Sequence, residues 1–478
     1  MRSLFSKCFR IPYRIVALVL VVNGFQYFIA EGSLAQEQHN RLYRADSEIQ
    51  RVTYSGNHWV GYPSLSDDGN VIVFQEEVRD TSMVTGEPRV KRIIKAITAD
   101  GKNQQVLFTD STVHAPVPYE DSFLLVGTKP PLVSGDGGTV IFALSLSSPA
   151  DMKDHVMAVV KTDASEFQTI TFTNEMLSSR NWNRENFESD SWARVANYAI
   201  SDDGSLIACV VKGHFGPVAY GSLSGIVVVR SDGSEQRTLL APRFENDRWT
   251  WNEFPRRPLT GGGWAFALTG AGETILFGAQ SSDERTDYDL YTMKIDGSKP
   301  KRVTTVQDRL FSFADISADG ERITFFYSGK KGEGIGTYVM NSDGTGLHRL
   351  TSHVVDRLDY DDVTDSGDKV YFKSVNGGFV FDINQSHEVL IFDRSTPGYV
   401  RSGVDMDFPS YPSFWAPDFV SRDGHTVVLV GVPVGKDLAE LFVLTVGKLK
   451  KTLLICPSCG NRMDPSWKYC PYDGTKLE

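Results

Sequence analysis

DISADGERITFFYSGKKGEGIGTYVMNSDGTGLHRLTS, residues Asp315 to Ser352, is the stretch whose reading decides the fold. Ala318-Asp319-Gly320 is a turn, because Asp tolerates turn geometry and Gly supplies positive φ. Ile323, Phe325 and Tyr327 then alternate with polar or outward residues, the period of two that marks a half-buried strand. After a Gly/Lys loop, Gly329 to Gly334, a second run (Thr337-Tyr338-Val339-Met340) ends in the turn Asn341-Ser342-Asp343-Gly344. Leu347 to Thr351 makes a last short strand. The stretch is therefore one small antiparallel sheet, and such a sheet needs copies of itself to bury both faces.

The copies are present. The first turn recurs as Ser66-Asp67-Asp68-Gly69, Ser134-Gly135-Asp136-Gly137, Ser201-Asp202-Asp203-Gly204, Thr269-Gly270-Ala271-Gly272, Ser317-Ala318-Asp319-Gly320, Thr364-Asp365-Ser366-Gly367 and Ser421-Arg422-Asp423-Gly424. Each precedes an apolar strand, from Val71-Ile72-Val73-Phe74 to Val427-Val428-Leu429. The second half recurs in Ile94–Gly101, Val227–Ser234 and Leu290–Ser298, and more loosely in His155–Ser165. Successive first-turn glycines lie 68, 67, 68, 48, 47 and 57 residues apart. A bare four-stranded unit fits the shorter intervals, so the first three carry insertions of roughly 20 residues. The spacing predicts an all-β fold: a seven-bladed β-propeller of four-stranded antiparallel blades, whose closure removes exposed sheet edges.

The pattern S-x-D-G-x-x-I-x-F…I-Y-x-M-x-x-D-G-S…L-T resembles that of TolB-type propellers. Asp315–Thr351 carries it almost throughout, and Asp289–Thr304 carries its second half. The resemblance spans residues 51 to 454. It implies the fold and leaves function open, since propellers of this type serve as periplasmic scaffolds, as gating domains on serine peptidases and as sugar lyases. Arg51-Val52-Thr53-Tyr54 reads as a detached last strand, comparable with Arg349-Leu350-Thr351, that can complete the final blade. Leu449 to Leu454 competes for the same edge.

A hydrophobic content of 41% with 23% charged residues is a globular balance. The net charge of −11 excludes general nucleic-acid binding, which needs a basic footprint. At the N-terminus Arg2, Lys7, Arg10 and Arg14 precede an apolar run from Ile15 to Val22 that continues weakly to Ala30. Ser33-Leu34-Ala35 follows as a small-x-small site. This is the form of a secretory signal, read here as residues 1–35, with an uncleaved N-terminal anchor as the alternative. Either places the remainder in the periplasm or at the cell surface. A linker at 36–50, a propeller at 51–454 and a tail at 455–478 complete the expected organisation.

The insertions carry the candidate ligand site. Asn181–Trp192 and Arg248–Trp264 together supply Trp182, Trp192, Trp249, Trp251, Arg256 and Arg257, and Trp415 lies in a third irregular segment. Aromatic faces stack on sugar rings and Arg forks grip carboxylates; the alternative is that these Trp anchor long loops on the blade edges. The acid-rich run Asp356–Asp368 lacks the spacing of an EF-hand and reads as a loop entering the sixth blade. A G-x-S-x-G elbow is absent from the sequence, as is an H-E-x-x-H pair. His214, His353 and His387 could gather on one face only through folding. Cys209 reads as a buried small apolar residue.

In the tail, Cys456-Pro457-Ser458-Cys459-Gly460 and Cys470-Pro471-Tyr472-Asp473-Gly474 resemble one half of a bacterial double zinc ribbon, with Asp473 at the fourth cysteine position. Three thiolates and a carboxylate complete a tetrahedral structural Zn²⁺ site. A disulfide is the alternative in an oxidising compartment. Together these readings predict an exported, non-catalytic binding or scaffold protein with a protein or glycan ligand and a zinc-ribbon-like tail. A metal-assisted lyase or glycosidase on the same propeller face is the alternative.

Overall fold

A computed structural model gives the architecture. It divides into two compact units, Met1–His39 and Asn40–Glu478. The residues it describes are 41–56, 58–80, 89–109, 130–145, 155–172, 192–214, 222–240, 242–245, 248–251, 265–280, 288–304, 309–329, 336–350, 359–363, 367, 369–374, 377–383, 387–392, 401–402, 419–432, 438–455, 458, 462–463, 469 and 475–476. The first unit lies outside them.

The S-x-D-G turn is built by its serine as much as by its glycine. Ser66 is fully buried, and its Oγ donates to Asp68 Oδ1 at 2.6 Å while accepting the Val71 amide at 2.9 Å. Asp68 Oδ1 also accepts the Asn70 amide, and Gly69 takes φ +73°. The same exchange recurs at Ser134, Ser201, Ser317 and Ser421. In the fourth copy Thr269 Oγ1 accepts the Glu273 and Thr274 amides, and Ala271 stands where those five have Asp. Each of these six turns thus satisfies its own buried polar groups and fixes the reversal into the next strand.

Five of the repeat units form separate four-stranded antiparallel sheets. They open with the strands Trp59–Leu65, Leu132–Val133, Trp192–Ile200, Phe266–Leu268 and Arg309–Ile316. The last two repeat units share one ten-stranded sheet. Asp359–Val363, Lys369–Ser374, Gly377–Asp382 and His387–Phe392 make its first part. Phe419–Val420, Thr426–Val432, Glu440–Ile455 and the N-terminal strand Arg41–Arg51 make its second. The innermost strand of each unit packs against that of the next, and Phe419–Val420 packs against Trp59–Leu65, so the ring closes as a β-propeller.

The expectation of seven separate blades is therefore corrected: among the described residues the blades make six sheets, five of four strands and one of ten, beside a separate two-stranded hairpin. The cause is the N-terminal strand, which is paired along both edges. It runs antiparallel to Glu440–Ile455 and parallel to His387–Phe392, with Tyr43 beside Val389 and Arg44 beside Leu390. Residues 41–50, expected as linker, belong to this strand. It takes the edge for which Leu449 to Leu454 seemed to compete; those residues continue the third strand of the last unit instead. The acidic run at Asp359–Val363 is likewise the innermost strand of the sixth unit rather than a loop, with Asp362 opposite Tyr371.

Hydrophobic cores lie between neighbouring units. Ile141, Met157, Tyr198, Ile207 and Val227 join the second to the third, with Cys209 fully buried among them. Val60, Ile72, Phe74, Val428, Leu441 and Val443 join the last unit to the first. At roughly 1.5–3 kcal/mol for each fully buried large side chain, these seams hold the ring together.

Candidate functional site

Antiparallel topology sorts the connections onto two faces. Every innermost strand ends at an S-x-D-G turn, and every third strand that has its Asp-Gly turn ends at the same face. Every outer strand therefore ends at the opposite face, where the next unit begins. The long segments 110–129, 173–191, 252–264 and 393–418 all attach to strand ends on that second, insertion face.

At the Asp-Gly face the second residues of successive turns meet around the axis. The Arg422 amide donates to Asp67 O at 2.8 Å, Asp67 to Gly135 O at 3.0 Å, Asp202 to Gly270 O at 2.9 Å and Gly270 to Ala318 O at 3.0 Å; between them Asp136 donates to Asp202 O at 2.8 Å. Side chains then cross this mouth. Arg422 Nη2 pairs with Asp67 Oδ2 at 2.8 Å and with Asp202 Oδ2, two units further round. Glycine gives the carboxylates room: a Cβ on Gly135 would lie 1.8 Å from Asp67 Oδ2, and one on Gly270 would lie 2.1 Å from Asp202 Oδ2. One guanidinium thus ties the last, first and third units together across the axis.

The insertion face carries the expected aromatics where their backbone is described. Trp192 opens the innermost strand of the third unit, in register with His214. Trp249 and Trp251 lie in a separate hairpin, Pro242–Glu245 with Arg248–Trp251, that follows the outer strand of the same unit; Phe244 is opposite Trp249 and Pro242 opposite Trp251. The fold thus assigns these three positions to one unit. Trp182, Arg256, Arg257 and Trp415 lie outside the described residues. His214 ends a strand at the insertion face, whereas His387 begins one at the Asp-Gly face, so the fold separates those two; His353 lies outside the described residues.

Two buried carboxylates near the insertion face carry no sequence motif. Glu76, its side chain 5% exposed, accepts or shares a proton with His58 Nδ1 at 2.6 Å and pairs with Lys95 Nζ. A carboxylate on Nδ1 fixes the tautomer that presents Nε2, an arrangement able to move a proton. Glu440 is held by Arg51 Nη2 at 2.8 Å, by Thr53 Oγ1 at 2.5 Å and by the Ser55 amide at 3.0 Å. The same device occurs within the fourth unit, where Arg302 and Thr304 hold Asp289. Arg-x-Thr was visible in the sequence, but the acid it would meet was not. Arg422 could have been noticed as the one cation at a position otherwise occupied by Asp, Gly or Ala.

In the tail, Leu454 pairs with Met463, Ile455 with Arg462, and Tyr469 with Lys476. Cys456, Cys459, Cys470 and Asp473 lie outside the described residues. Among the described residues no group of three or more His, Cys, Asp or Glu is placed to hold a metal ion, and no helix is long and apolar enough to cross a membrane.

This geometry defines a β-propeller of four-stranded antiparallel blades. No protein-family model matches the chain. No curated protein matches it either. Solved structures do share the fold. An oligogalacturonate lyase in complex with manganese aligns at a TM-score of 0.54 and 11% identity, over 85% of this chain and 96% of that one. The oligogalacturonate lyase of Vibrio parahaemolyticus aligns at 0.53 and 10%, over 86% and 100%. A putative TolB from Agrobacterium tumefaciens aligns at 0.36 and 12%, over 65% and 89%. At such identities the likeness is one of fold.

Proposed function

We propose that the chain is an exported, non-catalytic binding or scaffold propeller that takes its ligand on the insertion face. The observation that carries this reading is the asymmetry of the ring. All the long connecting segments attach to one face, while the other is a regular set of Asp-Gly turns bolted across the axis by Arg422. Ligand sites of this kind are concave and lined by aromatic groups with a few polar anchors. A carboxylate-bearing glycan suits Trp182, Trp192, Trp249, Trp251 and Trp415 with Arg256 and Arg257. Oligogalacturonate is the probe. Calorimetry should show it binding to the wild-type chain intact, with at least about tenfold weaker binding for Trp249→Ala and Trp251→Ala. Unchanged affinity in both variants would remove the aromatic site from this reading.

A metal-assisted lyase or glycosidase is the second reading. It is favoured by the likeness in fold to oligogalacturonate lyases over 85% of this chain and by His58, which sits on a buried carboxylate near the insertion face. Elimination from a uronide yields an unsaturated sugar with a new ultraviolet absorbance. Its appearance with wild-type protein, and its loss in His58→Ala, would replace the binding reading with this one.

The tail adds a proposed structural Zn²⁺ held by Cys456, Cys459, Cys470 and Asp473. Ile455 pairs antiparallel with Arg462 and Tyr469 with Lys476, so in the sequence each ligand string falls between two paired residues, which fits a zinc ribbon. A closed site of four protein ligands stabilises structure and offers no open position for catalysis. One equivalent of zinc in the wild-type chain and its loss in Cys459→Ser is the expected result; a variant that keeps stoichiometric metal refutes the assignment.

A further inference from the structure

We propose that Trp59, Gln75 and Glu77 of the first unit form a subsite for the hydroxyl groups of an uncharged sugar. The inference deepens the binding reading above and rests on its glycan ligand. It begins with one unsatisfied atom. Gln75 is 2% exposed, and its Oε1 is buried without a hydrogen-bond partner. Its Nε2 donates to Glu77 Oε1 at 3.1 Å, which fixes which end of the amide is the oxygen. A buried acceptor left unpaired is costly, so Gln75 Oε1 requires a donor that the chain does not supply.

The strands set an aromatic ring beside that acceptor. Trp59–Leu65 pairs with Val71–Asp80, with Gly61 opposite Gln75 and Trp59 opposite Glu77. Residues two apart on a strand share a face, as do direct cross-strand partners, so all four lie on one face. Val73 shares it and belongs to the core between the first and second units. Gly61 leaves room for the indole: a Cβ there would lie 2.3 Å from Trp59 Cη2. The ring therefore extends over the residue opposite Gln75, and it meets the Tyr62 ring edge-on at 5.3 Å between centroids. Part of Trp59 also packs on the core between the last and first units, which holds the ring in place. Tyr62 bulges from the ladder between Gly61 and Ser64 and takes φ +52°. That conformation is unfavourable for a residue with a Cβ, and such strain collects at ligand sites. Trp59 opens its strand at the insertion-face end, so the group lies toward the face that bears the long segments. Glu77 Oε1 also accepts from Arg92 Nε at 3.1 Å, and the pair offers no net charge to a ligand. An aromatic ring beside planar amide and carboxylate groups suits a sugar, whose C–H face stacks and whose hydroxyls both donate and accept.

The test is magnetic resonance of the full chain carrying isotope-labelled tryptophan. The indole N–H signal of Trp59 is identified by its loss in Trp59→Phe, and galactose, glucose and mannose are titrated separately. A saturable shift of this signal with at least one sugar is expected, with affinity weakened by about tenfold or more in Gln75→Leu. The unliganded Gln75→Leu chain should melt no lower than wild type, because leucine leaves no buried acceptor unpaired. No shift with any of the three sugars overturns the proposal, as does a shift whose affinity Gln75→Leu leaves unchanged; Gln75 Oε1 then takes water alone. A marked fall in the melting temperature of Gln75→Leu also overturns it, since the side chain is then needed by the fold. Trp249 and Trp251 give their own signals. A response confined to them keeps the binding reading and removes the first-unit subsite, whereas a response at Trp59 without them keeps the subsite and removes the Trp249 and Trp251 site.

Discussion

Thr53 Oγ1 donates to Glu440 Oε2 at 2.5 Å, across 387 residues of sequence, and also accepts the Leu441 amide at 2.8 Å. The ring is closed by this exchange. Arg51 joins it from the same segment and lies over the Tyr54 ring at 4.5 Å. Within the fourth unit Thr304 does the same for Asp289 and the Leu290 amide, 15 and 14 residues away. One local device, used inside a blade, serves at the seam as the clasp between the two ends of the fold.

Removing the acid of that clasp should be costly, because it leaves Arg51 and the Ser55 amide without their partner. Glu440→Ala is expected to destabilise by about 3 kcal/mol, and Thr53→Val by about 1–2 kcal/mol. In urea unfolding the double variant should fall short of the sum, since both changes break one network. Strict additivity would show that the clasp is not a unit.

The axial mouth allows a cleaner test of packing. The three atoms nearest a methyl at Gly270 all belong to the Asp202 side chain, the closest at 2.1 Å. Gly270→Ala should therefore cost about 1–2 kcal/mol in the wild-type chain and little in an Asp202→Ala background. An equal cost in both backgrounds would place the strain elsewhere.

Ala164 occupies the turn position that Gly fills in the other second turns, and its φ is +57°. A left-handed conformation costs an L-residue about 1–2 kcal/mol, part of which glycine's greater unfolded-state entropy offsets. Ala164→Gly should raise the melting temperature, by an amount worth about 0.5–1 kcal/mol. A lower melting temperature would contradict the strain.

Acid sensitivity should be concentrated in the turns. Hydrogen bonds from Thr98, and then from Lys102, hold Asp100 down to about 2 from 3.8. Asp203, Asp232, Asp296 and Asp343 are lowered by the Ser or Thr that donates to each. A depressed folded-state value stabilises at higher pH, and that stabilisation is lost as pH falls from the ordinary value through the folded one. The wild-type melting temperature should therefore drop between about pH 4 and pH 2. Asp100→Asn should start lower at neutral pH and drop less over that interval. Parallel curves would mean that Asp100 contributes nothing to the acid response.

Much of this fold was legible in the chain because its information is local. Gly69, Gly137 and Gly204 mark reversals at fixed offsets from apolar strands, and the period of those reversals names the propeller. The likeness of Arg51-Val52-Thr53 to a last strand was legible for the same reason. Ser66 was harder to read, since its value lies in being buried at the turn. The site was legible only as composition. Trp192, Trp249 and Trp251 were noticed as aromatics in insertions, but no spacing reveals that they belong to one unit, or that His214 and His387 sit on opposite faces.

By itself, then, the sequence determined the repeat, the antiparallel blade and the turn chemistry, because each depends on residues within about five positions of one another. Tertiary structure alone decided the rest. Whether the last two units stay apart or merge depends on which edges Arg41–Arg51 finds, and hydrogen-bonding edges are alike in every strand. Glu440 meets Thr53, and Arg422 meets Asp202, only once the ring has closed. Those contacts follow from curvature accumulated over the whole chain, which no short stretch encodes.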